Sequence, residues 1–261
     1  MLTPPCYVMS DAHLGFAGGD VERAVVTFLR HVAHDAGSLV VNGDLFEFWF
    51  EWRTVIPRRG FRAVAALADV VDAGVPVLMI AGNHDCWGGE VLREDVGVDY
   101  RFGPVVTDIA GWRTHIEHGD GLRPREDKRY RLLRRLLRNS LAIRSFRWLH
   151  PDLATPIATS SSHASRTYVA RDQGRGLRDA AERIGDADGS LDLIVLGHSH
   201  VPTLERLPRG TAYGNPGSWL DAPTFLHITE DRVALRRWEG SAEGPDLHTL
   251  HRSAKETLAE L

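Results

Sequence analysis

Short apolar runs recur along the chain between stretches that have a helical pattern. Four of the runs are continuous, which is typical of buried strands. They are Cys6–Met9, Ser38–Val41, Pro76–Ala81 and Leu191–Leu196. Hydrophobic residues recur at helical spacing in Val21–His34 and Arg62–Ala73, which predicts two helices. Gly37, Gly74 and Pro76 mark the ends of these early elements, so the chain begins with a βαβαβ pattern.

The later apolar segments have few helices between them, which favours a second sheet packed on the first. These predicted strands are Trp112–Glu117, Leu191–Leu196, Thr211–Tyr213, Phe225–Ile228 and Arg232–Trp238. A chain of 261 residues with 43% hydrophobic content can bury one large core, so we expect a single domain over residues 1–261. The predicted fold is α/β, a four-layer αββα sandwich. Glu239–Leu261 is expected to be a polar tail with a short C-terminal helix.

Residue types that bind metal ions follow five of the apolar runs. These candidate ligands are Asp11, His13, Asp44, Asn83, His118, His198 and His200. Each one alone would be weak, because a short polar segment of this kind is usually a turn or a helix cap. Their order over about 190 residues, each after an apolar run, leaves chance a poor explanation. Sites in open α/β folds form where strands end, so these residues predict one shared site.

The mixture of carboxylate and imidazole ligands suits Mn²⁺, Zn²⁺ or Fe, whereas Mg²⁺ alone would use few histidines. We predict two divalent ions, with Mn²⁺ preferred, and expect Asp44 to bridge them. The first ion would take Asp11, His13 and His200, and the second Asn83, His118 and His198. Ions about 4 Å apart bind a phosphoryl group and lower the pKa of a water between them. The predicted chemistry is hydrolysis of a phosphate ester or anhydride.

His84 is the predicted catalytic residue that faces the phosphate. It follows Asn83 and precedes Asp85, whose carboxylate is expected to hold the imidazole ring in one orientation. The alternative is a structural histidine in a turn. Supporting roles around the metal ligands are open to Asp120, Asn42 and Ser199.

Charge and cysteine content limit the possible partners and compartment. A net charge of −4 and a pI near 6.3 argue against a general nucleic-acid binder. Two cysteines, Cys6 and Cys86, form no disulfide framework and indicate a reducing compartment. The sequence shows no signal peptide pattern and no apolar run of about 18 residues. We therefore expect a cytoplasmic protein that does not span the membrane.

Residues 121–178 are expected to form a helical insertion, which we call the cap. Arg123–Arg147 contains ten Lys or Arg residues and only two acidic ones, and its leucines recur at helical spacing. These leucines are Leu132, Leu133, Leu136, Leu137 and Leu141. They either pack on the core or line a groove for a hydrophobic substrate, while the basic residues contact phosphates or anionic lipid headgroups.

An aromatic run follows Asp44 and ends at Trp52. Phe46 and Phe48 are expected to belong to the core. Trp49 and Trp52 are expected to border an apolar substrate channel.

The order of the five metal-binding segments resembles the calcineurin-like metallophosphoesterase superfamily. In that family the matching positions are the ligands named above. The resemblance also implies that the histidine at His84 contacts the phosphate and that Asp85 is its partner.

Further segments resemble the UDP-2,3-diacylglucosamine diphosphatases of lipid A synthesis. They are the run from Gly43 to Trp49, His118–Leu122, the basic insertion and Gly197–Pro202. This resemblance implies hydrolysis of UDP-2,3-diacylglucosamine to UMP and 2,3-diacylglucosamine 1-phosphate, with a helical cap around the acyl chains. Arg166, Tyr130 and Trp49 are the candidate substrate-binding residues. His84 stands where some members carry Arg, which indicates a related branch.

Two other functions remain open from the sequence. One is a soluble phosphodiesterase or nucleotide pyrophosphatase whose cap binds a nucleotide or sugar phosphate. The other is a non-catalytic scaffold that uses the fold to bind proteins. Peripheral contact of the basic cap with the inner face of a membrane is also expected.

Overall fold

The computed structural model describes residues 1–124, 127–156 and 172–252 of the chain. Its strands are β1 (Cys6–Met9), β2 (Ser38–Asn42), β3 (Val77–Ile80), β4 (Asp99–Arg101), β5 (Val105–Ile109), β6 (Trp112–Ile116), β7 (Leu193–Val195), β8 (Thr203–Arg206), β9 (Ala212–Asn215), β10 (Thr224–Ile228), β11 (Arg232–Trp238) and β12 (Glu243–His251). Its helices are α1 (Gly19–Asp35), α2 (Phe61–Asp72), α3 (Lys128–Leu137), α4 (Ser140–Phe146) and α5 (Arg175–Ala187). A π-helical turn covers Val91–Asp95, and residues 151–156 are also helical.

The strands form two sheets. The first has seven strands in the order β12-β11-β10-β1-β2-β3-β4, with β1 to β4 parallel and the other three antiparallel. The second has five strands in the order β5-β6-β7-β9-β8, and β6, β7 and β9 are parallel. Parallel neighbours end at the same edge of a sheet, which brings the loops after them together.

Side chains of β1 alternate between two apolar layers, as the two-residue period of a strand requires. Tyr7 and Met9 pack in the core that also contains buried residues of α1 and α2. Cys6 and Val8 point to the other face and share a core with Trp112 of the second sheet. A third apolar cluster joins α5 to the outer face of the second sheet. These layers confirm the predicted αββα sandwich.

The C-terminal part of the chain differs from its prediction. Residues Glu243–His251, which were expected to belong to a polar tail, form the edge strand β12. Its composition is polar because most of its side chains are exposed, and it is held by pairing with β11 and by ion pairs such as Arg232–Asp246. The predicted tail is therefore wrong over this strand, and residues 253–261 lie outside the described residues. Strands β4, β5 and β8 were also absent from the prediction.

The described part of the cap contains α3 and α4 in succession, followed by the helical residues 151–156. Asn139 separates α3 from α4 and caps α4, since its side-chain oxygen accepts hydrogen bonds from the backbone N–H groups of Leu141 and Ala142. Leu132 and Leu136 of α3 are 70% and 60% exposed, so they do not pack on the core. The last residues of the predicted insertion, 175–178, belong to α5.

Candidate metal centre

The candidate ligands lie in the loops after five strands. Asp11, Asp44 and Asn83 follow the parallel strands β1, β2 and β3 of the first sheet. His118 follows β6, and His198 follows its parallel neighbour β7 in the second sheet. Sheet topology thus brings residues together that are far apart in sequence.

Two groups of ligand atoms form at this edge. Asp11, His13 and His200 make one, with 3.2 Å between Oδ1 of Asp11 and Nε2 of His200 and 3.1 Å between Nε2 of His13 and Nε2 of His200. Asp44, His118 and His198 make the other. Asp44 also belongs to a group with His13 and His84, so its carboxylate lies between the two sides of the site.

Several buried polar atoms of the site have no hydrogen-bond partner among the described residues. They are Oδ1 of Asp11, Oδ1 of Asn83 and Nε2 of His118. Nε2 of His118 lies 3.1 Å from Oδ2 of Asp44 without the geometry of a hydrogen bond. Leaving such atoms unsatisfied costs free energy, and a cation is the partner that suits oxygen and imidazole nitrogen together. The residues therefore fit a divalent metal ion.

The backbone of the ligand loops is strained. The φ angles of Asp11, His13, Asp44, His198 and His200 lie between 46° and 61°, in the left-handed region that residues with a Cβ rarely adopt. Each such residue costs on the order of 1 kcal/mol and persists only where its surroundings hold it. Five strained residues in one site indicate that the conformation serves ligand placement.

Gly43 allows two of the loops to approach closely. It has a φ of 82°, and a Cβ added to it would lie 2.5 Å from Nδ1 of His118. Gly82 has the same function on the other side of Asp44, because a Cβ there would lie 2.1 Å from Oδ1 of Asp44. The imidazole of His118 and the carboxylate of Asp44 occupy the space into which the Cβ of any residue other than glycine would project.

Backbone groups orient several ligands. Nδ1 of His118 lies 2.9 Å from the carbonyl oxygen of Asn42, to which it donates, so Nε2 faces Asp44. Oδ2 of Asp11 accepts a hydrogen bond from the backbone N–H of His198 at 3.0 Å. This bond connects the first sheet to the second within the site. Asn42, one of the expected supporting residues, thus acts through its carbonyl group.

The ring of His84 is held by Glu47 and not by Asp85 as predicted. Nδ1 of His84 lies 2.9 Å from the carbonyl oxygen of Glu47, and Nε2 lies 3.9 Å from Oδ2 of Asp44. The carboxylate of Asp85 instead accepts hydrogen bonds from the backbone N–H groups of Gly82 and Leu45. Asp85 therefore stabilises the loop rather than the imidazole, because buried N–H groups of the two turns need an acceptor.

Glu47 is the functional residue that sequence reasoning missed. Oε2 of Glu47 lies 3.2 Å from Nδ1 of His13, so this residue contacts two histidines of the site. Its side chain is buried. A signal was present in the sequence, since an acidic residue within an aromatic run must find a partner if the run is buried.

Charges within the site keep its two aspartates ionised. Burial raises the pKa of Asp44, but the imidazoles of His118 and His84 outweigh burial and hold the pKa well below its ordinary value. Burial is likewise outweighed at Asp11, where His118 and His200 lower the pKa to about 2. The pKa of Asp85 is shifted in the opposite direction, because burial and the charge of Asp44 raise it to about 7. Asp11 and Asp44 are therefore anionic at neutral pH and able to bind a cation.

Asp120 connects the metal loops to the cap. Its carboxylate accepts a hydrogen bond from the hydroxyl of Tyr130 at 2.7 Å, and its carbonyl oxygen accepts one from Arg134 at 2.7 Å. Nη2 of Arg138 lies 3.6 Å from the same carboxylate. Tyr130, a predicted substrate-binding residue, thus lies beside the site. Arg166, the other cap residue predicted to bind substrate, lies outside the described residues.

Ser199, the remaining supporting candidate, accepts a hydrogen bond from the side-chain amide of Asn215 at 3.0 Å. The same amide donates to the carbonyl oxygen of Gly197 at 2.8 Å. Ser199 therefore helps to hold the loop that carries His198 and His200.

Trp49 does not border a channel in the structure. Its ring is fully buried, stacks on Phe46 at 4.5 Å and donates through its indole N–H to Glu51. Trp49 is thus a core residue, because it shares with Phe46 the apolar cluster that contains the buried residues of α1 and α2. Phe48 and Trp52 face the cap, where they form a separate cluster.

Comparison with known proteins agrees with this geometry. The calcineurin-like phosphoesterase family matches residues 4–202, which include all seven candidate ligands. The chain belongs to the calcineurin-like phosphoesterase family. Members of this family use divalent metal ions, and the phosphoesterase is a metal-dependent hydrolase rather than the non-catalytic scaffold that the sequence left open.

Several relatives of the phosphoesterase are named UDP-2,3-diacylglucosamine hydrolase. The protein from Pseudomonas fluorescens strain SBW25 is 30% identical over 89% of this chain and 94% of its own length. The protein from Xanthomonas oryzae strain PXO99A is 29% identical over 88% and 97%. The protein from Porphyromonas gingivalis is 32% identical over 61% of this chain and 63% of its own.

The solved structure of a dimetal phosphatase from Danio rerio aligns with 95% of the phosphoesterase and 98% of its own chain, with a TM-score of 0.49 and 12% identity. A likeness of this strength carries no functional inference.

Proposed function

We propose that the phosphoesterase cleaves the pyrophosphate of UDP-2,3-diacylglucosamine to UMP and 2,3-diacylglucosamine 1-phosphate, with two divalent metal ions at the site. The position of Asp44 between two groups of ligand atoms carries the proposal of two ions. The names of the relatives at about 30% identity support the substrate.

The residues divide into two ligand sets. Asp11, His13 and His200 would hold one ion, Asn83, His118 and His198 would hold the other, and Asp44 is available to both sets. Mn²⁺ suits this mixture of carboxylate, amide and imidazole groups, and Zn²⁺ or Fe are alternatives. Bound ions supply the nucleophile from water and neutralise charge on the phosphoryl oxygens.

His84 is the proposed catalytic residue of the chain itself. Because Nδ1 donates to the carbonyl of Glu47, Nε2 is the ring atom that remains for the substrate. Nε2 lies on the Asp44 side of the ring, where it accepts a hydrogen bond in the neutral tautomer, and where the imidazolium form would donate one to a phosphate oxygen or to the leaving group. Asp85 supports the reaction indirectly through its bonds to the two ligand loops.

The cap supplies contacts beyond the phosphate. Arg134 and Arg138 place positive charge beside Asp120 at the edge of the site and favour an anionic substrate. We assign Tyr130 and Arg166 to the sugar or phosphate and the exposed leucines of α3 to the acyl chains. Binding energy from these remote groups would position the pyrophosphate.

The same substrate implies a location. A nucleotide-linked lipid precursor and two free, buried cysteines fit a protein at the inner face of the inner membrane, in peripheral contact through the basic cap. No helix in the described ranges has the length and apolar character to cross a membrane. Nucleic acid is not a proposed partner.

A panel of three substrates tests the proposal. Purified protein with Mn²⁺ is incubated with UDP-2,3-diacylglucosamine, the deacylated UDP sugar and a small phosphodiester, and UMP and lipid phosphate are followed by mass spectrometry. We expect strong preference for the diacylated compound and loss of all three activities in Asp44→Asn. Equal cleavage of the three by the unaltered protein would instead favour a soluble phosphodiesterase or nucleotide pyrophosphatase.

His84→Ala provides the matched test of the chemical step. It should lower kcat by about 10² to 10⁴, the range for a lost acid or base, and leave metal content unchanged. Loss of metal from this variant would make His84 a ligand and contradict its proposed role.

A further inference from the structure

A cluster of polar side chains joins the end of α1 to the edge strand β12. It consists of Tyr7, His31, Asp35, His227 and Glu243. Asp35 precedes β2, whereas Asp44 of the candidate metal centre follows it, so the cluster lies at the opposite edge of the first sheet. The five residues of β2 span about 16 Å of extended chain between these two ends. The cluster is therefore separate from the candidate metal centre.

Three side chains of the cluster bring ligand atoms close to one another. One nitrogen or oxygen from each of His31, Asp35 and Glu243 lies within 4.8 Å of the other two. Nε2 of His31 lies 3.0 Å from Oε1 of Glu243. Atoms that bind one Zn²⁺ at about 2 Å in a tetrahedron lie about 3.3 Å apart, so only small side-chain movements are needed to complete such a set.

The two carboxylates of the cluster share a single hydroxyl proton. The hydroxyl of Tyr7 contacts both Asp35 and Glu243, but it carries one proton and can donate to only one of them at a time. Glu243 has a further partner in Arg236, which contacts its other oxygen. No Lys, Arg or His nitrogen in the part of the chain that the structure describes lies within 4 Å of the Asp35 carboxylate. A cation between the carboxylates supplies the positive charge that Asp35 lacks.

A buried imidazole beside the cluster has an unsatisfied nitrogen. His227 is 8% exposed, its ring lies edge-on to that of Tyr7 at 5.0 Å, and its Nδ1 has no hydrogen-bond partner in the described ranges. Burial lowers the pKa of His227 below its ordinary value, although the charges of Glu243 and Asp35 raise it. The ring is therefore neutral at neutral pH, and its buried Nδ1 needs a partner.

The ligand side chains are held in place before any ion binds. The ring centre of His31 lies 5.3 Å from that of Trp238 and 6.0 Å from that of Tyr7. His31 and Asp35 are four residues apart on α1, which places both on the same face of the helix. Side chains that are already ordered lose little conformational entropy when they bind a ligand.

We propose that His31, Asp35 and Glu243 bind one Zn²⁺ ion, which anchors the edge strand β12 to α1. Zn²⁺ binds imidazole nitrogen together with carboxylate oxygen, and a water takes the fourth position where the protein supplies three ligands. That water can donate a hydrogen bond to Nδ1 of His227. Mg²⁺ is not expected here, because it prefers oxygen ligands. The inference does not rest on the proposed function, since the ion takes no part in turnover.

Zinc content of the intact protein tests the proposal. The protein is loaded with Zn²⁺ and desalted, and its zinc is measured by mass spectrometry. We expect the double variant His31→Gln/Asp35→Asn to hold one equivalent fewer than the unaltered protein. The difference between the two proteins reports this site, because the candidate metal centre is intact in both.

His34→Gln/Asp72→Asn is the matched control, because it makes the same replacements at exposed helical positions outside the cluster. This control should hold as much zinc as the unaltered protein.

Hydrogen exchange shows where the ion acts. Addition of Zn²⁺ should slow amide exchange in β12 of the unaltered protein and of the control, and leave it unchanged in His31→Gln/Asp35→Asn. At a Zn²⁺ concentration about 100 times the Kd of this site, Tm should rise by about 5–10 °C more in the unaltered protein than in the double variant.

Asp35→Asn alone keeps the test valid if the double variant fails to fold, because Asp35 is exposed. It should weaken binding of this equivalent at least about tenfold, since loss of a residue that merely supports a ligand already costs that much. Unchanged affinity in Asp35→Asn would contradict its role as a ligand.

Two further results would overturn the proposal. Equal zinc content of the unaltered protein and the double variant would leave the cluster a network of hydrogen bonds. Loss of the same equivalent from His34→Gln/Asp72→Asn would attribute the binding to surface charge. Failure of the proposed function is a separate result, because it would appear as absent turnover while this equivalent of zinc is still bound.

Discussion

The carboxylate of Glu47 lies 3.2 Å from Nδ1 of His13, and the backbone carbonyl oxygen of Glu47 accepts a hydrogen bond from Nδ1 of His84. One residue thus orients a proposed metal ligand, His13, through its side chain and the proposed catalytic histidine, His84, through its backbone. An acceptor at Nδ1 selects the tautomer in which Nε2 is free to bind a metal ion.

Glu47→Gln should therefore weaken metal binding by about 10- to 100-fold, the usual cost of losing a hydrogen-bond partner of a metal-bound histidine. The backbone contact to His84 is retained in this variant. The measurement is calorimetric titration of the metal-free protein with Mn²⁺. Glu51→Gln is the control, since Glu51 is equally buried but binds Trp49 and backbone N–H groups. It should lose stability and keep its metal affinity, and equal affinities of the two variants would contradict the role of Glu47.

Gly43 and Gly74 allow a second comparison, because both have positive φ, 82° and 87°. An alanine at either position costs about 1 kcal/mol for the left-handed backbone, which lowers Tm by about 2–4 °C in a chain of this size. Gly74 has no neighbour within 4 Å of an added Cβ, whereas at Gly43 the Cβ would displace His118. Only Gly43→Ala should lose metal affinity, by at least about tenfold. A metal titration of both variants, together with their melting curves, tests whether the close approach of Gly43 to His118 is needed for metal binding. Unchanged metal affinity in Gly43→Ala would show that the loop carrying Gly43 adjusts to the added Cβ.

Phe146 of α4 attaches the cap to the aromatic run after Asp44. Its ring lies 4.9 Å from Phe50 and is stacked with Trp87 at 6.3 Å. Phe146→Ala should lower the free energy of unfolding by about 2 kcal/mol and increase amide hydrogen exchange in α4. Turnover of a diacylated substrate should fall more than turnover of a small phosphodiester.

Phe61→Ala is the control for this effect, because Phe61 is exposed at the start of α2. It should change neither hydrogen exchange in α4 nor the ratio of the two activities. Unaltered exchange in Phe146→Ala would mean that the cap is held by other contacts, such as those of Asp120.

The two cysteines should be unreactive in the native protein. Burial raises the pKa of both Cys6 and Cys86 to about 12, so on the order of one thiol in ten thousand is ionised at pH 8. We expect no reaction with a thiol reagent until denaturant is added, and then two equivalents. Labelling of Cys86 in the native state would show that the loop after Asn83 opens.

The layered fold was predictable because its signals are local. Runs such as Cys6–Met9 have the length and composition of buried strands, and Gly43 and Gly82 mark the points where those strands turn into loops. The polar strand β12 was missed since its stability comes from pairing with β11, which no local pattern reports. The partner of His84 was missed for a similar reason. Its neighbour in sequence, Asp85, contacts the backbone of two loops, whereas Glu47, which does hold the ring of His84, lies in the loop after β2.

By itself, then, the sequence determined the αββα layers and a set of seven candidate ligands, because strand period, turn residues and metal-binding side chains are properties of short segments. The tertiary structure alone decided which side chains meet. It placed Glu47 between His13 and His84, buried Trp49 in the core, and left four of the five cap leucines exposed. These outcomes depend on contacts between distant segments, where packing and burial select one arrangement among many that the same local patterns allow.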